Sequence, residues 1–300
     1  MSTMQSNTPL RILRQSLGGR SCARMPQSIA SHDELVGCLR KSSHLVSLKT
    51  DGERAFVILW QDETCGRYAA TCLAARTFEI LQDDISFHAE PQHARVFDGT
   101  VLDVEVVRRG IGPGEFSCVL LDAPIVCGAS LEAKPFRSRL RAGSGLARAL
   151  GLPVSDKQWV SPRDIDDLID PARGLPNDVD GLIFVPPLLR DRTLKWKPPH
   201  LRTVDLRWSS GTFLFMSDNG VLLDSGMSVH DKDLPDTVLE DGYVYECLPI
   251  TTSKVRVVGR RDDKKSPNAA WVVNLTVEHA VSGQYNVVDV VDTCKGLETQ

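Results

Sequence analysis

The sequence predicts an α+β fold with antiparallel sheets, in which a larger strand-rich part precedes a small β-barrel. Between residues 45 and about 125, short apolar runs alternate with polar turns, which is typical of strands. Residues 133–150 carry apolar side chains at helical spacing. After Leu206 the apolar pieces become short and closely spaced, as in a small barrel. We therefore expect a domain boundary near Arg207.

The individual elements follow from local patterns. A helix is predicted at 31–41, because Ser31 can cap it and Glu34 lies at the capping-box position. Two further helices are predicted at 133–150 and 161–169. Strands are predicted before the boundary at 45–48, 55–60, 67–75, 77–81, 100–107, 117–121, 182–186 and 193–197. Strands are predicted after it at 211–216, 220–223, 242–249, 254–258 and 270–276.

Composition excludes several classes of protein. The 300 residues are 42% hydrophobic and 25% charged, as expected of a soluble globular chain. No apolar run is long enough to span a membrane, and the polar segment Met1–Gln15 predicts a loose start without a secretion signal. The net charge of −4 does not favour a protein that coats nucleic acid, but it permits basic residues that are concentrated in one cleft.

The eight cysteines are scattered without any Cys-x-x-Cys pair. This pattern predicts free thiols in a reducing compartment, and it does not predict a structural zinc site. His88, Glu90 and His93 have no regular zinc spacing, so we interpret them as part of a loop.

The segment Lys49–Arg54 carries the most chemical information in the chain. It lies between two apolar runs, so it predicts a strand, a tight turn at Asp51-Gly52 and a second strand, as in a hairpin. Lysine attacks as a nucleophile only without its proton, and only about one free lysine in a thousand is neutral at pH 7. Nearby cations or desolvation raise that fraction.

Further short motifs follow in order along the chain. Asp103 and Glu105 are two residues apart on a predicted strand and therefore share a face. Lys195 and Lys197 likewise alternate with a tryptophan, so that both amines are expected on one face. The remaining motifs are Phe116–Ala123, Asp180–Phe184, Thr203–Leu206 and Arg261–Asn268.

This ordered series, from about Lys49 to Asn268, resembles the covalent nucleotidyltransferase superfamily, which holds mRNA guanylyltransferases (capping enzymes) and ATP-dependent polynucleotide ligases. The resemblance implies a ligase-type, ATP-grasp-like nucleotidyltransferase domain at 1–207. It also implies an OB-fold β-barrel lid at 208–280, and a tail at 281–300 that packs back on the first domain.

The resemblance assigns roles to particular residues. Lys49 would attack the α-phosphate of a nucleoside triphosphate, Lys195 and Lys197 would hold that phosphate, and Glu105 would lie near the lysine and the ribose. Asp180 would hold Mg²⁺ or Mn²⁺. The implied nucleotide contacts are Thr50, Asp51, Arg54, Phe116, Asp180, Arg261, Asp263 and Lys264, of which the last three belong to the closing lid.

Each assignment has a structural alternative. Phe116 could be a core residue, Asp180 a turn aspartate, and Arg54 a surface arginine. The lysines at 195 and 197 could be solvated on an edge strand, and the Arg261–Asn268 segment could be a charged turn. The three arginines of the predicted helix at 133–150 could touch RNA phosphates, although a solvated helix face is the favoured interpretation (Arg137, Arg139 and Arg141).

The chain also departs from the family pattern. Val104 stands between the two acids where most members have glycine, Gly259 stands where members often have arginine, and Glu53 replaces a residue that is often apolar. Valine preserves the strand, but it puts a close backbone approach at that point in question.

The details of the motifs resemble capping guanylyltransferases more than ligases, and Ala23–Ser28 resembles the segment that precedes the nucleophile in those enzymes. The expected reaction is transfer of GMP from GTP, through a lysyl-GMP intermediate on Lys49, to the 5′-diphosphate end of nascent RNA, giving a GpppN cap. The alternatives are an ATP-dependent polynucleotide ligase and a catalytically inactive nucleotide- or RNA-binding relative. A separate RNA triphosphatase and cap methyltransferase would be needed, and the expected location is nuclear in a eukaryotic cell and otherwise cytoplasmic, including a viral setting.

Overall fold

A computed structural model describes residues 8–16, 26–29, 31–62, 65–107, 116–170, 175–176, 179–188, 191–230, 238–282 and 285–297. Residues 1–7 of the predicted loose start lie outside the described residues. Cys22 and residues 23–25 of the segment that resembles the one before the nucleophile also lie outside them. The chain divides into two compact units. The first takes in the described residues of Met1–Ser28, Gly37–Lys195 and Cys294–Gln300, and the second those of Ile29–Val36 and Trp196–Thr293.

The described residues form seventeen strands and five α-helices. The strands are β1 (Gln27–Ser28), β2 (Leu45–Thr50), β3 (Glu53–Gln61), β4 (Tyr68–Ala74), β5 (Ile80–Gln82), β6 (Asp98–Val106), β7 (Cys118–Val126), β8 (Ala129–Ser130), β9 (Val154–Ser155), β10 (Val179–Val185), β11 (Leu194–Trp196), β12 (Val204–Ser209), β13 (Thr212–Met216), β14 (Leu222–Asp224), β15 (Ser228–Val229), β16 (Val244–Pro249) and β17 (Lys254–Arg260). The helices are α1 (Thr8–Ser16), α2 (His32–Leu39), α3 (Phe136–Ala149), α4 (Ala270–Ser282) and α5 (Val287–Lys295). Short 3₁₀ helices occupy Pro91–Phe97, Pro162–Asp167 and Pro199–Leu201.

The first unit contains a seven-stranded, mainly antiparallel sheet in the order β5-β4-β3-β6-β7-β8, with β9 added beside β7. Alternate side chains of β3, β6 and β7 point into a hydrophobic core that α3 covers. Val57, Leu102, Val104 and Leu120 of these strands are almost completely buried in this core. The mixed architecture with antiparallel sheets therefore agrees with the predicted fold class.

A second sheet of the first unit has the order β1-β11-β10-β2, with β2 and β10 antiparallel. The predicted hairpin at Asp51-Gly52 is therefore wrong, although both strands and the turn are present. β2 pairs with β10, whereas β3 pairs with β4 and β6. The turn carries the chain from one sheet to the other, and the true partners lie far away in sequence.

The second unit is built on a six-stranded sheet with the order β14-β13-β12-β16-β17-β15. Among the described residues no pairing joins the two edge strands β14 and β15, so the structure does not confirm a closed OB-fold barrel. The strand predicted at 270–276 is wrong, because this segment begins α4. Val273 and Val277 lie one helical turn apart and are buried against the sheet in the core of this unit.

The structure confirms one of three smaller expectations and corrects the other two. Ser31 accepts a hydrogen bond from the backbone N–H of Glu34 at 3.3 Å, so the predicted cap of α2 is confirmed. The start of the chain is not loose throughout, because α1 forms at Thr8–Ser16 and buries Leu13 against β3. Arg139 is not on a solvated face, since its side chain is fully buried against Asp122.

No α-helix in the described part of the chain combines the length and apolar character that crossing a membrane requires. The seven described cysteines are all free thiols.

Candidate active site

Lys49 is the residue of β2 that lies opposite an irregularity in β10. In the strand register, Thr50 pairs with Val179 and Lys49 pairs with Gly181, so Asp180 is the extra residue of a bulge. The bulge directs the Asp180 carboxylate to Lys49, and the ammonium nitrogen lies 3.0 Å from each carboxylate oxygen. Both side chains are only partly exposed, at 23% for Lys49 and 18% for Asp180. Asp180 is therefore more than a turn residue, because it is the direct partner of Lys49.

Glu105 of β6 is held beside the turn that follows Lys49. The hydroxyl of Thr50 donates a hydrogen bond to Glu105 Oε2. A methyl group on Gly52 would lie 2.7 Å from Glu105 Cγ and 2.7 Å from the Val106 carbonyl oxygen, which is closer than such contacts occur. Glycine is therefore needed here for close approach, and the turn fixes Glu105 next to β2.

Lys157 is a site residue that the sequence analysis missed. Its ammonium group donates to the Thr50 hydroxyl at 3.0 Å and lies 3.6 Å from Glu105 Oε2, and its side chain is only 5% exposed. Burial lowers the pKa of Lys157, and the nearby Lys49 ammonium lowers it further. The negative charges of Glu105 and Asp180 oppose this shift. Two lysines and two carboxylates thus share one partly buried site.

Arg54 and Asp103 form a second pair of the same region. Arg54 lies opposite Glu105 in the register of β3 and β6, and its Nε donates to Asp103 Oδ1 at 2.9 Å. The side chain of Asp103 is nearly buried by this pairing. Val104, between the two acids, points into the hydrophobic core. The valine therefore takes no space from the face that carries Asp103 and Glu105.

Phe116 and Asp51 occupy less specific positions. Phe116 is partly buried and packs against the hydrophobic core of the first unit, which agrees with its structural alternative. Asp51 is exposed in the turn after β2. A contact of either residue with a nucleotide stays a prediction.

The two lysines near 196 are separated by the end of a strand. Lys195 lies in β11, which is joined to β2 through β10 in the four-stranded sheet. Lys197 is the first residue after β11, so the expectation that both lysines lie within one strand is wrong. Half-buried and buried residues nevertheless alternate through Pro198, as they do along a strand. In the second unit, Arg202 Nε donates to the Lys197 carbonyl oxygen at 2.7 Å and fixes the backbone there.

The segment 261–264, called the lid motif below, is part of the second unit, and its cationic side chains are held by carboxylates. Arg261 donates two hydrogen bonds of 2.8 Å to the Asp263 carboxylate and one of 3.1 Å to Asp205. Lys264 also pairs with Asp205. The hydrogen bonds from Arg261 lower the pKa of Asp263 to about 2, and those same bonds raise the pKa of Arg261. These cations are therefore held in a fixed arrangement.

The donor atoms around Lys49 fit a divalent cation that a nucleotide would bring. Mg²⁺ prefers one or two carboxylates together with substrate phosphates. The Asp180 carboxylate meets that requirement, while within the described residues no cluster of three metal-ligating side chains offers a complete protein site. When bound, the cation would neutralise charge on the phosphate oxygens.

Comparisons with known proteins give no family for this chain. No protein-family model and no curated protein matches it. Solved structures that match include mycobacterial DNA ligase D complexed with ATP and MES, at 16% identity and a TM-score of 0.41, covering 80% of this chain and 96% of that chain. The ligase domain of M. tuberculosis LigD matches at 15% identity and a TM-score of 0.34, with coverages of 80% and 96%. Pmar-Lig_Pre matches at 14% identity and a TM-score of 0.38, with coverages of 79% and 67%. Such identities and TM-scores do not establish a family.

Proposed function

We propose that this protein is a covalent nucleotidyltransferase that transfers GMP from GTP through Lys49 to a 5′-diphosphate RNA end. The observation that carries the proposal is the site around Lys49. A lysine in a strand of the first unit lies against Asp180, beside Glu105, and close to a second buried cation, Lys157. Such a group can bind a phosphate and hold an amine at its phosphorus atom.

In the first step, the Nζ atom of Lys49 attacks the α-phosphorus of GTP. An N–P bond forms, the bond between the α-phosphorus and the bridging oxygen breaks, and pyrophosphate leaves with that electron pair. The ammonium gives up two protons in all, one before the attack and one as the N–P bond forms. Lys157 and Lys195 are cations of the same unit that can balance charge on the phosphate oxygens.

In the second step, a terminal oxygen of the RNA 5′-diphosphate attacks the same phosphorus atom. The new O–P bond completes the cap, the N–P bond breaks, and the Lys49 nitrogen takes up two protons from solvent, which restores the ammonium. Asp180 is positioned to pair with the ammonium that results, as it does in this structure. The lid residues Arg261 and Lys264 would contact the pyrophosphate in the first step.

The test is covalent labelling with GTP labelled in the α-phosphate, in the presence of Mg²⁺ or Mn²⁺. We expect label on the protein, no label on Lys49→Ala, and transfer of the label to RNA that ends in a 5′-diphosphate. Because the sequence resemblance covers both branches of the superfamily, ATP is tested in parallel. Labelling by ATP and not by GTP would replace the proposal with a polynucleotide ligase. Tight GTP binding without any adduct would replace it with a binding protein.

A further inference from the structure

A basic pocket of the second unit lies beside the lid motif and has a volume of about 300 Å³. Its wall includes Arg207, Tyr243 and Lys265, in addition to Arg261 and Lys264 of the lid motif. The first three residues have no role in the reaction proposed above. Four cationic side chains and one aromatic ring therefore border a single cavity.

The local chain path explains why Tyr243 lies beside Arg207. Gly242 has a φ of +88°, a left-handed conformation that favours glycine, and its N–H donates to the Trp208 carbonyl oxygen. The Trp208 N–H in turn donates to the Tyr243 carbonyl oxygen at 2.9 Å. These two bonds extend the pairing of β12 with β16 and fix the backbone of the pocket wall.

The charges in the pocket are compensated unequally. Arg261 and Lys264 pair with Asp205, and Asp262 pairs with Arg260. Within the part of the chain that the structure describes, Arg207 and Lys265 have no acidic partner. These two cations are therefore suited to an external anion.

Arg207 carries a donor that is unused among the described residues. Its terminal nitrogen donates to the Lys265 carbonyl oxygen, which orients the guanidinium group. Its Nε atom is buried and has no hydrogen-bond partner in the described chain. A buried donor of a charged group is costly to leave unmatched, so the described chain does not fully satisfy the hydrogen-bonding capacity of this guanidinium.

The ring of Tyr243 lies at the surface of the second unit and not in its core. It is 43% exposed, and the guanidinium carbon of Arg260 lies 4.6 Å from the ring centroid. A guanidinium on one side holds the ring in place through a cation–π contact. A small inorganic anion would use the cations of this pocket but not the aromatic ring, whereas single-stranded nucleic acid uses both.

We propose that this pocket binds the acceptor strand as single-stranded RNA, with a base stacked on Tyr243 and neighbouring phosphates on Arg207 and Lys265. The inference rests on the proposed function, because it assigns where the acceptor of that reaction is bound. It extends the lid motif with contacts that are specific for a polynucleotide. The binding surface is complete within the second unit.

The test is fluorescence anisotropy with a short single-stranded RNA that ends in a 5′-diphosphate and carries a 3′ dye. Tyr243→Leu should weaken binding at least about fivefold, whereas Tyr243→Phe, which keeps the ring, should stay within about twofold of wild type. Lys265→Gln should reduce the slope of log K against log[salt] by about 0.7. The matched control is Lys254→Gln, which removes the same charge at the far end of β17 and should leave the slope unchanged.

Covalent labelling of the same variants separates this inference from the proposed function. Both Tyr243→Leu and Lys265→Gln replace exposed side chains, so they should fold and form the nucleotide adduct at the wild-type rate. Adduct formation together with unchanged RNA binding would overturn the inference alone. Weakened RNA binding in a protein that never forms an adduct would support the inference and overturn the proposed function. Competition by poly-glutamate as effective as that by single-stranded RNA would overturn the inference, because it would indicate a general anion site.

Discussion

Replacing Gly52 by alanine tests how closely the turn after Lys49 packs on Glu105. The added Cβ would lie 2.7 Å from Glu105 Cγ and 2.7 Å from the Val106 carbonyl oxygen, whereas ordinary contacts begin near 3.4 Å. One of the groups must therefore move by about 0.7 Å, the difference between those distances. The carbonyl belongs to the backbone of β6 within the seven-stranded sheet, so the turn and the Glu105 side chain must move instead.

Two magnitudes follow from this displacement. Overpacking of this kind costs about 1–3 kcal/mol in the free energy of unfolding. A shift approaching 1 Å at a catalytic group lowers rates on the order of 100-fold, so we expect adduct formation to fall by that factor. The loss of rate should exceed what the loss of stability explains at 25 °C, because the variant stays folded there.

The assay combines urea denaturation with the rate of covalent labelling by GTP. The matched control is Gly145→Ala in α3, where an added Cβ meets nothing within 4 Å. This control should raise stability by about 0.5–1 kcal/mol and leave the labelling rate unchanged. A Gly52→Ala variant with wild-type stability and labelling rate would refute the described packing of the turn.

The remaining predictions concern stability, a buried cation and a carboxyl pKa. Asp122→Ala should lower the free energy of unfolding by about 3–5 kcal/mol, since it leaves the fully buried Arg139 without its carboxylate. Lys157→Met should slow labelling at least about tenfold, and Lys157→Arg should restore part of the rate, because the cation is hydrogen-bonded to Thr50. The Asp263 carboxyl should titrate in NMR with a pKa of about 2. Because that pKa is depressed in the folded state, the stabilising ion pair with Arg261 is present at neutral pH and is lost as the pH falls towards about 2.

Each of these predictions has a result that contradicts it. For the buried pair, the control is Asp156→Ala, which removes an exposed partner of Arg148 and should cost no more than about 1 kcal/mol. Equal losses from Asp122→Ala and Asp156→Ala would refute the burial argument. Wild-type labelling by Lys157→Met would exclude that lysine from the site. For Asp263, an unchanged pKa in Arg261→Gln would show that the arginine is not the cause of the shift.

Local sequence patterns predicted most strands but not the way in which they pair. The apolar runs around Lys49 and Gly52 are strands, yet the two strands belong to different sheets. The partner of Lys49 in the register is Gly181, which is 132 positions later in the chain. A hairpin turn and a crossing between sheets use the same residues, so the sequence of the turn cannot distinguish them.

The misread elements show which signals were present. Segment 270–276 is rich in β-branched residues, but its buried Val273 and the buried Val277 just after it have helical spacing. Arg139 has helical spacing to the buried residues Phe136 and Gly143 of α3, which could have placed it on the covered face.

The residues of the candidate site differ in how far the sequence could predict them. The resemblance placed Glu105 near Lys49, and in the structure Glu105 accepts a hydrogen bond from Thr50, the next residue. The resemblance gave Asp180 only as a metal ligand, and its pairing with Lys49 was not predicted. Lys157 lies in a segment without such a motif, between β9 and a 3₁₀ helix. Its burial arises only when that segment folds over the turn at residues 50–52, so no local pattern could have identified it.

Mass spectrometry of the intact protein after incubation with GTP and Mg²⁺, followed by mapping of the modified peptide, tests the central claim most directly. The account predicts one added guanylate per chain, bonded to Lys49 and absent from Lys49→Ala. An unmodified protein, or an adduct on a different residue, would contradict it.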